Sequence, residues 1–241
     1  MIRKIKRNVR RVLGIKNDTD YYSQAGEDAI LSKTFSFLLP VKNGFYVDIG
    51  SFHPFRHSNT YLLYKAGWSG VNIDPRPGSK ALFDRNRSRD INIEAGIGGE
   101  DASMTYYMLD ENSVMNTFSK DNLVKLGVFD QVRKTFEVPV FTFATLLQKY
   151  PDIKTIDYLN IDAEGFEMEI LSGMNLNAVM PKVISIEQND VLSFPEVLQS
   201  TAGIFLAEKG YTAYAKNILL SNVCTVFYIR NEYLPANKKS I

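Results

Sequence analysis

In GFYVDIGSFHP, residues 44–54, an acid, a glycine and a histidine (Asp48, Gly50, His53) fall within six residues, where an aromatic and β-branched run stops. A strand ending this way delivers its next residues to the carboxyl edge of a sheet, where open α/β sheets bind ligands. Glycine lets the backbone turn sharply there and approach a ligand closely. An acid just before it suits a ligand with a positive group, and a neutral imidazole can accept a proton near pH 7. Asp48, Gly50 and the adjoining Ser51 are therefore assigned to a ligand, with His53 as candidate general base. His57, directly before Ser58, is read as structural or as a substrate contact.

The next apolar run ends at Asp74-Pro75, 24 residues after Gly50. A carboxylate about 20 residues beyond a glycine turn commonly grips ribose hydroxyls. The competing reading is that Asp74-Pro75 only starts a turn. Ser51, Phe52 and His53 follow Gly50, so the G-x-G-x-x-G cradle for a dinucleotide pyrophosphate is missing. An acid–glycine turn with a ribose acid but no phosphate cradle points to S-adenosylmethionine.

These residues need a scaffold that brings strand ends together. Strand-like runs occupy 45–49, 70–74, 90–95, 156–162, 183–187, 211–215 and 222–229, and helical patterns fill 58–67, 77–87, 142–150, 165–173 and 194–209. Thr142 and Ser58 are candidate N-caps, and Gly173 and Gly210 candidate stops. Strands alternating with helices predict an α/β fold, a mostly parallel sheet with helices on both faces. The short connection between the last two strands predicts an antiparallel hairpin. The stretch 98–141, rich in Met and aromatics (Met104, Tyr106, Tyr107, Met108, Met115, Phe118), breaks the alternation and is read as an inserted substrate or dimer region.

With 241 residues, 45% hydrophobic and 23% charged, the chain can build one sizeable domain with a real core. Its net charge of +1 hides an asymmetry: residues 1–16 hold seven Lys and Arg and no acid. The remaining 225 carry 21 basic and 27 acidic residues, a poor footprint for nucleic acid. Cys224, the single cysteine, allows no intrachain disulfide and fits a reducing compartment. No window approaches the roughly 18 apolar residues of a membrane span, and the basic N-terminus lacks a signal-peptide apolar stretch. A cytoplasmic protein is expected. Ile2, Ile5, Val9 and Val12 recur at helical spacing among cations, so residues 1–19 are read as a separate basic amphipathic segment. It suits peripheral contact with an anionic membrane, here the inner face; a solvated tail or a helix docked on a partner subunit are the alternatives.

SQAGEDAIL (23–31), GFYVDIGSFHP (44–54), SNTYLLYKAGWSGVNIDP (58–75), IDYLNIDAEGFEMEIL (156–171) and PKVISIE (181–187) together resemble the FkbM family of S-adenosylmethionine-dependent methyltransferases. The resemblance covers roughly residues 20 to 190. It implies a Rossmann-like class I methyltransferase domain over 20–241, a seven-stranded sheet, and methyl transfer to oxygen, often on sugars of antibiotics or bacterial surface glycans. It also turns Gln24 and Glu27, which alone read as part of a helix-capping segment, into cofactor or substrate contacts.

The acceptor atom is approached by elimination. Amino methylation of bases in this fold uses an Asn/Asp-Pro-Pro-aromatic motif after the fourth strand; here that place reads Asn160-Ile161-Asp162-Ala163-Glu164-Gly165. Cys224, inside an apolar run, is no cytosine nucleophile. Oxygen remains, and a hydroxyl needs a base or a metal that lowers its pKa. Asp162 and Glu164 end the fourth long run and Glu187 the fifth, an arrangement that resembles metal-dependent O-methyltransferases. Asp162 and Glu187 would hold magnesium or manganese through hard oxygen ligands, with Asp162, Glu164 and His53 catalytic. Helix capping is the bland reading of Asp162 and Glu164. Asn59 and Thr60 are assigned to the cofactor carboxylate at a helix N-terminus. Glu94 and Ala95 border room for adenine, and Trp68 packs in the core. The acceptor is expected to be a sugar hydroxyl of a surface glycan or its precursor. A phosphate, a non-sugar hydroxyl or a non-catalytic scaffold role are the alternatives, and a homodimer through the aromatic insert is conceivable.

Overall fold

A computed structural model describes residues 20–176, 179–220 and 222–234; the basic segment 1–19 and the tail lysines 238 and 239 lie outside them. In chain order the elements are α1 (Glu27–Lys33, running into a π-helical turn, Thr34–Leu38), β1 (Phe45–Ile49), α2 (Tyr61–Lys65), β2 (Ser69–Ile73), α3 (Ser79–Asn86), β3 (Ile91–Ile93), β4 (Gly96–Gly98) and β5 (Ala102–Met108). Then follow α4 (Lys120–Lys125), β6 (Lys134–Thr142), α5 (Phe143–Lys149), β7 (Tyr158–Ile161), α6 (Glu167–Gly173), β8 (Val183–Asn189), α7 (Phe194–Gln199), α8 (Thr201–Glu208), β9 (Tyr211–Leu220) and β10 (Val223–Arg230).

The main sheet has seven strands in the order β3-β2-β1-β7-β8-β10-β9. The first five run parallel, while β10 is antiparallel to both β8 and β9. This is the expected doubly wound sheet closing in a hairpin. Buried apolar residues cover both faces: one layer gathers Val47, Val71, Leu159, Ile184 and Leu206, the other Leu31, Tyr46, Tyr158 and Phe227. Trp68 belongs to the second layer, 2% exposed and 4.7 Å from the Phe35 ring.

Two expectations shift. Residues 194–209 form two helices, because Ser200 is extended (φ −67°, ψ 155°) and its Oγ accepts the Gly203 N–H, capping a new helix. The helix expected from 58 starts at Tyr61, with Ser58 Oγ accepting the Tyr61 N–H at 3.1 Å. Thr142 caps α5 as read, and Gly210 (φ +81°) follows α8 in the left-handed conformation that stops a helix. Within 98–141, β5 and β6 join β4 in a three-stranded sheet of order β4-β6-β5.

One polar residue from each of five adjacent strands falls in a single row. Ser185, Asn160, Asp48, Asn72 and Asn92 pair consecutively in the parallel register, so their side chains share one face. Ser185 Oγ donates to Asn160 Oδ1 (2.6 Å), Asn160 Nδ2 to Asp48 Oδ1 (2.9 Å) and Asn72 Nδ2 to Asn92 Oδ1 (2.8 Å). The gap between Asp48 and Asn72 is bridged by Thr60 and by Arg87, which is fully buried: Thr60 Oγ1 donates to Asp48 at 2.6 Å, and Arg87 Nη2 to Thr60 at 3.1 Å and Asn72 at 3.3 Å. Asp90 balances the guanidinium charge at 2.8 Å.

Candidate functional site

The carboxyl ends of the parallel strands open into a cavity of about 420 Å³. Each end arrives by a different local device. At β1 the chain turns at Gly50, whose φ is +79°, and a Cβ there would stand 1.6 Å from the carbonyl oxygen of Asp162. The glycine was expected to make room for a ligand; the close neighbour is instead the backbone leaving β7. Gly50 and Ser51 both donate to Ile73 O (2.9 and 3.1 Å), tying the turn to the end of β2.

After β2, Asp74 Oδ2 accepts the Phe52 N–H (2.8 Å) and Oδ1 the Arg76 N–H (3.0 Å), so Asp74 organises its turn and also lines the cavity. Burial, only partly offset by Arg76, pushes its carboxyl up to about 6. Arg76 Nη1 donates to Glu111 O at 2.8 Å, and its guanidinium covers the Phe52 ring at 5.2 Å.

The loop after β7 separates capping from chemistry. Glu167 accepts the N–H groups of Ala163 (2.9 Å) and Gly165 (3.1 Å), the capping work that Asp162 and Glu164 could have done. Glu164 adopts a left-handed backbone (φ +51°), and its carbonyl is held by Thr117 Oγ1 (2.8 Å) and Asn122 Nδ2 (3.1 Å) from the 98–141 stretch. Asp162 and Glu164 thus present carboxyls not spent on capping beside Glu187 of β8. Carboxyl oxygens of the three lie within 4.8 Å of one another. Burial and mutual repulsion raise all three; Glu187 reaches about 8, and Asp162 shares a hydrogen bond with it. Three hard oxygen donors that repel one another fit a divalent cation, whose charge would relieve the repulsion.

Gln24, Gly50, Asp74, Pro75 and Ala95 line this cavity together with Asp162, Glu164 and Glu187. His57, read as structural or as a substrate contact, lines it as well, and the other assigned residues do not. His53 stands aside: its Nδ1 accepts the N–H groups of Phe55 (3.3 Å) and Arg56 (3.1 Å), which leaves the neutral ring's proton on Nε2 and no lone pair for a substrate proton. Burial and nearby Arg56 and Arg76 lower its pKa to about 4. Asp48, Asn59 and Thr60 are taken up by the polar row, Asn59 donating to Asn160 at 3.2 Å, and burial raises the Asp48 carboxyl. Glu27 is buried and accepts the Ala25 N–H (2.8 Å), while Glu94 is exposed and accepts the Gly78 N–H (2.9 Å). Ser51 is buried, with its Oγ unpartnered among the described residues.

Sequence reasoning missed Arg76, Phe52, Thr117, Asn122, Asn189, Leu219 and Asn222. For Arg76, Phe52 and Asn189 a signal existed, since each stands two residues after an assigned residue (Asp74, Gly50 and Glu187); the others are brought in by tertiary packing. The 98–141 stretch supplies Tyr106, Met115, Thr117, Phe118 and Asn122 to the cavity wall.

Residues 48–213 match the family model of the methyltransferase FkbM domain. A curated relative, "Methyltransferase 1" of Beauveria bassiana (strain ARSEF 2860), is 28% identical over 119 residues, 43% of this chain and 47% of that protein, so the alignment spans less than half of the relative. Among solved structures, the TehB-like SAM-dependent methyltransferase of Corynebacterium glutamicum aligns with 10% identity and a TM-score of 0.41, covering 95% of this chain and 97% of that one. The 1,6-didemethyltoxoflavin-N1-methyltransferase of Burkholderia thailandensis, solved with S-adenosylhomocysteine, aligns with 9% identity and a TM-score of 0.45, covering 85% and 76%.

Proposed function

Because the chain belongs to the FkbM methyltransferase family, we propose that it transfers a methyl group from S-adenosylmethionine to a hydroxyl oxygen, in the first instance of a sugar in a bacterial surface glycan or its precursor. The observation that carries this reading is the carboxyl trio of Asp162, Glu164 and Glu187, gathered within 4.8 Å in the cavity that Asp74 also lines. Asp74 takes the ribose hydroxyls as hydrogen-bond acceptor, and the small residues Ala95 and Gly96 leave room for the adenine. The acceptor oxygen attacks the sulfonium methyl; the new O–C bond forms as the C–S bond breaks, and its electron pair neutralises the sulfur.

The hydroxyl proton goes to the acidic trio. With no ion bound, Glu187, its carboxyl pushed up to about 8 by burial, receives it through its ionised fraction near neutral pH; a bound cation would lower that carboxyl and acidify the hydroxyl instead. Glu187 takes over the base role once assigned to His53. A magnesium or manganese ion held by Asp162, Glu164 and Glu187 would supply Lewis acidity toward the attacking oxygen. Among the charged residues lining the cavity, four carboxylates face one guanidinium, which disfavours a phosphate acceptor.

The test is calorimetric titration with S-adenosylhomocysteine, with and without magnesium, followed by a methyl-transfer screen over sugar nucleotides and glycan fragments. Micromolar binding with product methylated at oxygen supports the reading. Failure to bind under either condition moves the protein to a non-catalytic role.

A further inference from the structure

The strand order converts the cavity into a line. Ala95 follows β3, Asp74 β2, Gly50 β1 and Asp162 β7; Glu187 and Asn189 lie on β8, Asn222 and Val223 at the start of β10, and Leu219 on β9. Neighbouring strands are about 4.8 Å apart. Asp74 therefore lies two strand spacings, about 10 Å, to one side of Asp162, and Asn222 the same distance to the other. Nucleoside recognition occupies the first side, so the second remains for the acceptor.

The chemistry of that second side is specific. Asn189 and Gln24 line it with exposed carboxamides that make no hydrogen bond among the described residues. By contrast Asn122 is spent on Glu164 O, and Asn222 donates to Asp190. Leu126, Leu219 and Val223 supply apolar surface between them. Lys125 on this side is paired with Asp190 at 3.1 Å, and Lys216 of β9 donates to Leu192 O. Free amides donate and accept at once, as a hydroxyl does, and carry no charge.

We infer that the acceptor enters over the β8–β10–β9 end of the cavity as an uncharged polyol, with Gln24 and Asn189 as the side chains that select it. The inference rests on the oxygen-acceptor reading above and deepens it: any phosphate of a larger precursor stays outside the cavity.

Ligand-observed saturation-transfer NMR on the full chain saturated with S-adenosylhomocysteine tests this. The probes are the methyl α-glycosides of glucose, galactose, mannose, fucose and rhamnose, with glucose 6-phosphate and glucosamine as charged competitors, with and without magnesium. At least one uncharged glycoside should bind better than either charged sugar. Gln24→Leu with Asn189→Leu should weaken that binding about tenfold, as expected for losing two hydrogen-bonding groups, and Asn189→Leu alone should weaken it while S-adenosylhomocysteine affinity stays unchanged. Preference for glucose 6-phosphate, glycoside binding untouched by the double variant, or silence from every glycoside overturns the inference and leaves the oxygen-acceptor reading standing. Preference for glucosamine with methyl appearing on its nitrogen removes that reading itself.

Discussion

Gly50 and the carbonyl of Asp162 occupy one another's space: a methyl group on the first would sit 1.6 Å from the second. Two strand ends that line the cavity are thereby held at backbone contact. Gly50→Ala has to move one of them and also adopt φ +79°. A loss of about 2–4 kcal/mol in stability is expected, read as a lowered thermal midpoint. S-adenosylhomocysteine affinity should fall with it, even well below the new midpoint. Unchanged affinity in the cold-folded variant would separate this contact from the site.

Glu187 gives a pH signature. Its pKa rises from 4.5 to about 8 on folding, so the folded protein holds that proton more tightly than the unfolded chain. The stability contributed by Glu187 therefore falls as pH rises from about 4.5 to about 8, then levels off. Glu187→Gln should flatten that slope, gaining on the order of 2–4 kcal/mol at pH 8 and nothing near pH 4. Urea denaturation in chelator across this range checks it; parallel wild-type and variant curves would show that Glu187 ionises freely.

A cation at the carboxyl trio would act on stability in the opposite direction. Manganese at millimolar concentration should raise the thermal midpoint at pH 8, and Glu164→Gln should remove most of the rise. If the trio binds no metal, wild type and variant will respond alike.

In the proposed function Asp74 is the acceptor for the ribose hydroxyls, and burial pushes its pKa up to about 6. Protonation below that value should weaken S-adenosylhomocysteine binding, which is then expected to decline between pH 7 and 5. Asp74→Ala should cost about tenfold or more at pH 7.5, with cooperative unfolding retained. A flat pH profile would leave Asp74 only its turn-forming bonds to Phe52 and Arg76.

Most of the scaffold was legible because period and punctuation agree in it. FYVDI, SGVNI and VISIE are short β-rich runs between helical patterns, and Thr142 and Gly210 mark boundaries where the structure has them. The acids at strand ends could be placed for the same reason, since topology alone brings Asp74, Asp162 and Glu187 to one edge. Orientation could not be read. Asp48 and Asp74 both sit at strand ends, yet Asp48 turns inward to Thr60 and Asn160 while Asp74 faces the cavity. His53 has the residue type of a base, but its Nδ1 closes a local turn, which no sequence pattern reveals. Thr117 belongs to the cavity only through long-range packing that no local pattern encodes.

The row of Ser185, Asn160, Asp48, Asn72 and Asn92 bears on how the sheet finds its alignment. A strand that slips by one residue turns its side chains to the opposite face. Here such a slip would push an amide, hydroxyl or carboxyl into the apolar layer and leave its former partner unsatisfied, a cost on each side of the slipped strand. Purely aliphatic strands as short as these, drawn from distant parts of the chain, would tolerate several alignments at similar energy. The polar row singles out one of them, so the site's geometry is inherited from a selection made among misaligned sheets during folding.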